Sequence, residues 1–137
     1  MAQNSSSNAA QSNLDKGLAV ANKMLGEQVA SAIKASVGST DFGAYRGEMA
    51  LEFVFGQLWS REQLDMRSRS LVTLGILIAL GQEGELKIHL MNAIRNGVTV
   101  QEVEEVLYHS AAYAGFPAAN TATHIAIELF KQNGLID

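Results

Sequence analysis

Apolar residues recur three or four positions apart along most of the chain, which is the spacing of one face of an α-helix. The first such segment is 14–37, with Asn13 as its N-cap and Gly38 placed to end it. A second runs from about residue 41 to Trp59 and contains glycines at 43, 47 and 56. Because glycine weakens a helix, we expect one of these three to allow close packing against a neighbour.

The third predicted helix, from Met66 to about Gly81, contains the most apolar run of the chain, Leu71 to Leu80. This run is about half as long as the roughly 20 residues that a membrane span needs, so we expect a buried helix and no membrane partner. It is apolar around much of its circumference and therefore needs covering on several sides. We expect it to be the central core helix, with part of it in an interface of a homo-oligomer.

Three further helices are predicted in the C-terminal half, because each has residues typical of a helix end. The first ends at Gly97, the second begins at a capping box of Thr99 and Glu102, and the third begins at Pro117. The pattern thus predicts an all-α fold, a single domain of about six helices over residues 14–137. Residues 1–13 are expected to be a disordered polar tail, and they have neither the basic start nor the apolar stretch of a signal peptide.

Composition narrows the classes of function. The chain has 10 basic and 14 acidic residues, a formal charge of −4, and no cluster of Lys and Arg, so nucleic-acid binding is not expected. It contains no cysteine, which removes disulfides and thiolate nucleophiles and fits a cytoplasmic protein. The zinc-binding pattern H-E-x-x-H and the Cys/His ligand patterns are absent, so no metal is expected, with a site made of Glu85, His89 and His109 as the alternative. Phosphate-binding glycine loops and the serine-hydrolase motif are absent as well.

Two glutamate–histidine pairs supply candidate acid–base chemistry. Glu85 and His89 are four residues apart on one predicted helix, so their side chains emerge on the same face. A neighbouring carboxylate raises the pKa of an imidazole and can hold it ready as a proton donor. Glu105 and His109 repeat the spacing on the next helix. An exposed contact without function is the alternative for both pairs, and His124 is expected to be structural.

Three arginines, Arg61, Arg67 and Arg69, form the densest cationic group, just before and within the start of the third helix. The planar arginine fork can bind a carboxylate through two hydrogen bonds. The alternative is surface pairing with Glu62 or Asp65. Positive charge at a helix N-terminus opposes the helix dipole, which favours another partner, such as an anionic substrate, for one of these arginines.

The most specific signal is a combination of four segments: FGQLWSREQL (55–64), RSRSLVTLGILIAL (67–80), GELKIHLMNAIRNGVTVQEVEEVLYH (84–109) and YAGFPAAN (113–120). In this combination the chain resembles the carboxymuconolactone decarboxylase family. The resemblance implies the all-α fold of alkylhydroperoxidase D, assembled as a homotrimer or homohexamer. Peroxidases of that superfamily use C-x-x-C-x-x-x-H, and alignment on His89 puts Gln82 and Glu85 at the cysteine positions. Disulfide-based peroxide reduction is therefore excluded.

The resemblance also implies a reaction, the decarboxylation of 4-carboxymuconolactone to the enol-lactone of 3-oxoadipate. This step belongs to the protocatechuate branch of aromatic-compound degradation, in the β-ketoadipate pathway. Electrons left by CO₂ run through a double bond into the lactone carbonyl, so the substrate is its own electron sink and no cofactor is expected. The enzyme has to bind an anionic lactone, stabilise the oxyanion and deliver a proton to carbon.

Candidate roles follow from this reaction. His89, oriented by Glu85, is expected to be the general acid or the oxyanion donor, and His109 a second donor. The remaining candidates are expected to bind substrate, with core packing as the alternative for the aromatic ones: Arg67, Arg69, Arg61, Trp59, Tyr113 and Phe116. Two other functions stay open, namely an enzyme of this fold acting on another small lactone or keto acid, and an oligomeric binding protein without catalysis.

Overall fold

The computed structural model describes the backbone of residues 3–137 and the side chains of residues 12–137. Within this part the chain contains helices and no strand, which confirms the all-α prediction. None of the described helices is both long enough and apolar enough to cross a membrane. The chain divides into two compact units, one ending at Leu64 and the other beginning at Asp65.

Residues 3–137 contain seven α-helices and one π-helical segment, where about six helices were predicted. In the N-terminal unit these are α1 (Gln3–Leu25), α2 (Glu27–Ala35) and α3 (Tyr45–Met49), which continues as the π-helix Ala50–Trp59. In the C-terminal unit they are α4 (Met66–Leu80), α5 (Glu83–Arg95), α6 (Val100–Tyr113) and α7 (Phe116–Gln132).

The single helix predicted over residues 14–37 is wrong in two respects. It is interrupted at Gly26, whose φ of +88° is a conformation that other residues rarely adopt. Its start is also earlier, because α1 begins at Gln3, so Asn13 lies inside the helix and is not its N-cap. Residues 1 and 2, and the side chains up to residue 11, lie outside the described part. The division into a tail, 1–13, and a domain, 14–137, therefore stays a prediction.

Two glycines bring α1 and the π-helix into backbone contact. A Cβ atom on Gly17 would overlap the carbonyl of Leu51, and one on Gly56 would overlap the carbonyl of Asn13. Peptide groups within helices cannot move aside cheaply, so only glycine fits at these crossings. The prediction that one of the glycines at 43, 47 and 56 allows close packing is confirmed at Gly56. The helical pattern did not single out Gly17.

The predicted helix ends of the C-terminal unit are confirmed. Helix α4 begins after Asp65, whose side chain accepts a hydrogen bond from the Ser68 N–H at 2.8 Å. The capping box of α6 is complete, with the Thr99 N–H donating to Glu102 at 2.9 Å and the Glu102 N–H donating to Thr99 at 3.1 Å. Pro117 lies in the first turn of α7. Each of these signals acts within four residues, which is why sequence spacing predicts it.

Helix α4 packs against α5, α6 and α7. Its buried residues, Ser70, Leu74 and Ile78, lie one turn apart and face these helices. Leu74 and Ile78 are part of the hydrophobic core of the C-terminal unit, and Ser70 lies one turn before Leu74. The buried residues of this core are Leu74, Ile78, Leu86, Leu90, Ala93, Val98, Val103, Leu107, Ala122, Ile125, Ala126 and Phe130. A second line of α4 side chains, Val72, Ile76 and Leu80, is more than half exposed. The expected core helix is therefore confirmed for one of its faces.

Because of the contact between α1 and the π-helix, replacement by alanine should affect stability differently at two helical glycines, Gly17 and Gly75. A Cβ on Gly75, in the middle of α4, would meet no atom within 4 Å, unlike one on Gly17. Gly75→Ala should raise the free energy of unfolding by up to about 1 kcal/mol, because alanine favours the helix. Gly17→Ala should lower it by roughly 1–3 kcal/mol, because the methyl group overpacks the crossing. Urea unfolding of both variants measures this, and equal stabilisation by both would contradict the close approach at Gly17.

Candidate active site

Glu85 and His89 lie on the same face of α5, as their spacing predicts. The distance from His89 Nε2 to Glu85 Oε2 is 3.9 Å, which is too long for a hydrogen bond. The His89 side chain is only 21% exposed, whereas that of Glu85 is 60% exposed. The pair is therefore an electrostatic contact between a half-buried imidazole and a solvated carboxylate.

Burial lowers the pKa of His89 below its ordinary value of 6.5, and this effect outweighs the opposing attraction of Glu85. The expectation that the neighbouring carboxylate raises the pKa is therefore wrong for the net shift. Desolvation wins because the imidazolium loses most of its hydration, while the carboxylate at 3.9 Å is itself well solvated. At neutral pH His89 is an uncharged imidazole, which can offer an N–H as a hydrogen-bond donor.

A groove of about 450 Å³ lies along α4 and α6. Its lining combines acid–base groups with apolar ones: Leu71, Gly75, Glu102, Glu105, Val106, His109 and Ser110. A second hollow of about 270 Å³ shares Gly75, His109 and Ser110 with the groove and extends it to Tyr113. The His109 ring stacks on that of Tyr113, with centroids 4.9 Å apart and planes at 29°. Glu105 and His109 thus both face a concave surface.

Arg67 forms an ion pair with Glu102, through Nη2 and Oε1. The sequence suggested pairing with Glu62 or Asp65, or with a substrate. Hydrogen bonds from Ser68 lower the pKa of Asp65 and the charge of Arg67 adds to this effect, but the ion pair of Arg67 is with a carboxylate from α6. Glu102 also lines the groove, so the ion pair places Arg67 beside it. Arg69 and Arg61 are likewise engaged in interactions of their own.

The other predicted site residues are dispersed. Trp59 is buried in the π-helix, in agreement with core packing, and like Arg61 it belongs to the N-terminal unit. Tyr113 and Phe116 are largely exposed, so core packing is wrong for these two. His109 and Tyr113 are thus brought together on α6, and Arg67 contacts Glu102, which lines the same groove as His109. His89 and Glu85 are not among the residues that line the groove.

Comparison of the sequence with known proteins shows the family to which this chain is related. The sequence profile of the carboxymuconolactone decarboxylase family matches residues 47–128, more than half of the chain. The chain belongs to the carboxymuconolactone decarboxylase family. It is 40% identical over 120 residues, 88% of either chain, to a 4-carboxymuconolactone decarboxylase of Acinetobacter baylyi. It is 38% identical over 105 residues to a nitrosuccinic acid decarboxylase of Metarhizium robertsii, covering 76% of this chain and 71% of the relative.

In this family member, sequence reasoning missed a set of buried polar residues between α4 and α5. Asn96 Nδ2 donates a hydrogen bond to Ser70 Oγ at 2.9 Å. Asn92 Nδ2 and Asn96 Oδ1 are buried without a hydrogen-bond partner among the described residues, which is uncommon for such atoms. Asn92 lies one turn after His89, so the same face of α5 carries both. The available signal was an asparagine among the inward-facing apolar positions of that helix.

Gly75 is a second omission, since its missing side chain contributes to the width of the groove. Across the part of the chain described, no three His, Asp or Glu side chains gather in a way that could hold a metal ion.

The depressed pKa of His89 predicts how stability depends on pH. The folded protein binds this proton less tightly than the unfolded chain does, so the contribution of His89 is complete above pH 6.5 and is lost as the pH falls below that value. The free energy of unfolding of His89→Gln should therefore fall less steeply with decreasing pH than that of the wild type. Glu85→Gln should lower the His89 pKa further. Urea unfolding on both sides of pH 6.5, with NMR titration of the His89 ring, measures this, and a ring pKa at or above 6.5 would refute it.

Proposed function

We propose that this protein decarboxylates 4-carboxymuconolactone to the enol-lactone of 3-oxoadipate without a cofactor. The observation that carries this proposal is the 40% identity, over 88% of both chains, to an enzyme named for that activity. The relative named for nitrosuccinic acid supports the broader class, removal of CO₂ from a small anionic substrate. The cytoplasmic location expected from the absence of cysteine stays a prediction.

The two substrates share an electronic feature. In each, the carbon that loses CO₂ is connected to a group that accepts an electron pair on oxygen, the conjugated lactone carbonyl in one case and the nitro group in the other. An enzyme for either substrate needs a hydrogen-bond donor at the developing oxyanion and a proton for carbon. A histidine that is uncharged in the free protein can be the hydrogen-bond donor, because its N–H can polarise an oxygen without prior protonation of the ring.

His89 has the burial and the lowered pKa that this role needs, whereas His109 is the histidine that lines the groove along α4 and α6. We assign the role of donor to His89, with His109 as the alternative. An anionic substrate placed beside the His89 ring would raise its pKa again, in the same direction as Glu85 already acts. The imidazole could then take a proton and pass it to carbon after CO₂ leaves. Glu85, at 3.9 Å, favours that protonated form without holding it in the free protein.

The groove along α4 and α6 supports a substrate-binding role for the second set of residues. Its volume of about 450 Å³ is in the range of small-ligand sites, and its apolar walls suit a lactone ring. Arg67 would bind a carboxylate at one end, with Arg69 as the alternative, and His109 would be the second donor. Tyr113 extends the wall through its stack on His109.

Site-directed variants test which histidine carries the reaction. His89→Gln should lower kcat by about 10²–10⁴-fold, the usual contribution of a positioned acid–base group. Glu85→Gln should lower it less, because the imidazole remains. His124→Gln, an exposed histidine of α7, is the control and should stay within about twofold of the wild type. Near-normal turnover in His89→Gln together with a large loss in His109→Gln would transfer the role of donor to His109.

The substrate itself is tested with a panel. Purified protein is incubated with 4-carboxymuconolactone, nitrosuccinic acid and related lactones and keto acids, while CO₂ release is measured. Turnover of another compound in preference to the lactone would replace the substrate and keep the class of reaction. No CO₂ from any of them would favour the alternative of a non-catalytic binding protein.

We further propose that the chain is a homo-oligomer, a trimer or hexamer as the family resemblance implies. Support comes from α4, where Val72, Ile76 and Leu80 form an exposed apolar line at four-residue spacing. Apolar lines of this kind on a soluble chain are typical of contact surfaces.

Light scattering should give a mass that is a multiple of 14.7 kDa. Ile76→Glu should reduce that mass, since a buried charge without a partner disfavours association. Gln101→Glu adds the same charge at an exposed position of α6 and should leave the mass unchanged. A 14.7 kDa wild-type species at micromolar concentration would exclude the oligomer.

A further inference from the structure

The arginine proposed to bind the substrate's carboxylate already holds a carboxylate of its own chain. Arg67 Nη2 is paired with Glu102 Oε1, and the two side chains are 42% and 35% exposed. Both can therefore be reached from solvent, and Glu102 lies in the lining of the groove. A carboxylate that pairs with Nη2 of Arg67 therefore has to replace Glu102 there.

Glu102 is fixed in place by a second task. Its Oε2 accepts the Thr99 N–H at 2.9 Å while its own N–H donates to Thr99 Oγ1, which closes the N-terminal end of α6. The cap therefore holds this carboxylate opposite Arg67, and little further side-chain freedom is lost when the ion pair forms. The two carboxylate oxygens have different partners, since Oε2 accepts the hydrogen bond of the cap and Oε1 pairs with Arg67.

We propose that Glu102 is an internal competitor for the substrate, a carboxylate that occupies Arg67 in the free protein and that the carboxylate of the substrate displaces. A substrate carboxylate can present both oxygens to the arginine fork, whereas Glu102 presents one, and bidentate pairing is the stronger arrangement. This inference rests on the proposed function, in which Arg67 binds the substrate.

Displacement needs only a small movement, because the bond to Thr99 keeps Glu102 on α6 after Oε1 leaves Arg67. The displaced carboxylate then lies near the incoming one and repels it. Glu102 therefore weakens binding of every anion at Arg67, and removing its charge should strengthen binding.

Glu102→Gln provides the test, because glutamine also serves at this position of a capping box while carrying no charge. Its KM for 4-carboxymuconolactone should fall roughly two- to fivefold, the size expected of one exposed ion pair, with little change in kcat. Glu104→Gln is the matched control, since it removes the same charge from α6 at a residue that accepts a hydrogen bond from Tyr108. Its KM should not change.

A double variant identifies the route of the effect. Arg67→Gln should raise KM, and adding Glu102→Gln to it should bring no improvement, because nothing is left to compete for. An improvement that persists without Arg67, or a Glu102→Gln protein that behaves like Glu104→Gln, overturns the proposal.

Binding of 4-carboxymuconolactone to the same four variants and the wild type, measured by titration calorimetry, separates this inference from the reaction. A wild type that binds without turnover overturns the proposed reaction, and the calorimetric affinities then decide the role of Glu102. Absence of binding in the wild type and in Glu102→Gln overturns both.

Discussion

The C-terminal unit depends on the burial of one face of α4. Leu74 and Ile78, with Ser70 one turn earlier, are covered by α5, α6 and α7, and removal of one such apolar side chain typically costs about 2–5 kcal/mol. That is a large part of the stability of a small domain. The same packing brings the start of α4 beside the start of α6, where Arg67 meets Glu102. The groove and its ion pair are consequences of how this helix is buried.

Sequence reasoning predicted helix ends well where the deciding contacts are local. Thr99 and Glu102 form hydrogen bonds with each other within one turn, and Gly81 and Gly97 take left-handed conformations within two residues of the ends of α4 and α5. It failed at glycines whose effect depends on distant atoms. Gly17 and Gly26 both lie in one apolar-periodic segment, yet the first allows a helix crossing at Leu51 and the second interrupts the helix. Nothing in the spacing of apolar residues distinguishes them.

In the candidate site, too, sequence reasoning predicted what depends on local spacing and failed where distant residues decide. Spacing placed Glu85 and His89 on one face of α5, but the direction of the His89 pKa shift depends on burial by other elements and was predicted wrongly. The residue types pointed to Arg67 as a carboxylate binder, and the structure gives it a carboxylate from another helix. The joint lining of one groove by Gly75 and His109 follows from the packing of α4 on α6, which no single segment encodes.

His89 and Arg67, the two groups suited to an anionic substrate, thus carry no uncompensated positive charge in the free protein. His89 is kept neutral by burial, and the charge of Arg67 is offset by Glu102. A buried positive charge without a partner would cost stability. An exposed one would attract unrelated anions. Under the proposed reaction the substrate changes this state, because an approaching carboxylate raises the pKa of an imidazole, which then takes up a proton from solvent, and competes with Glu102 for the guanidinium. The imidazolium of His89 and the guanidinium of Arg67 therefore become available to an anion only when that anion lies beside them.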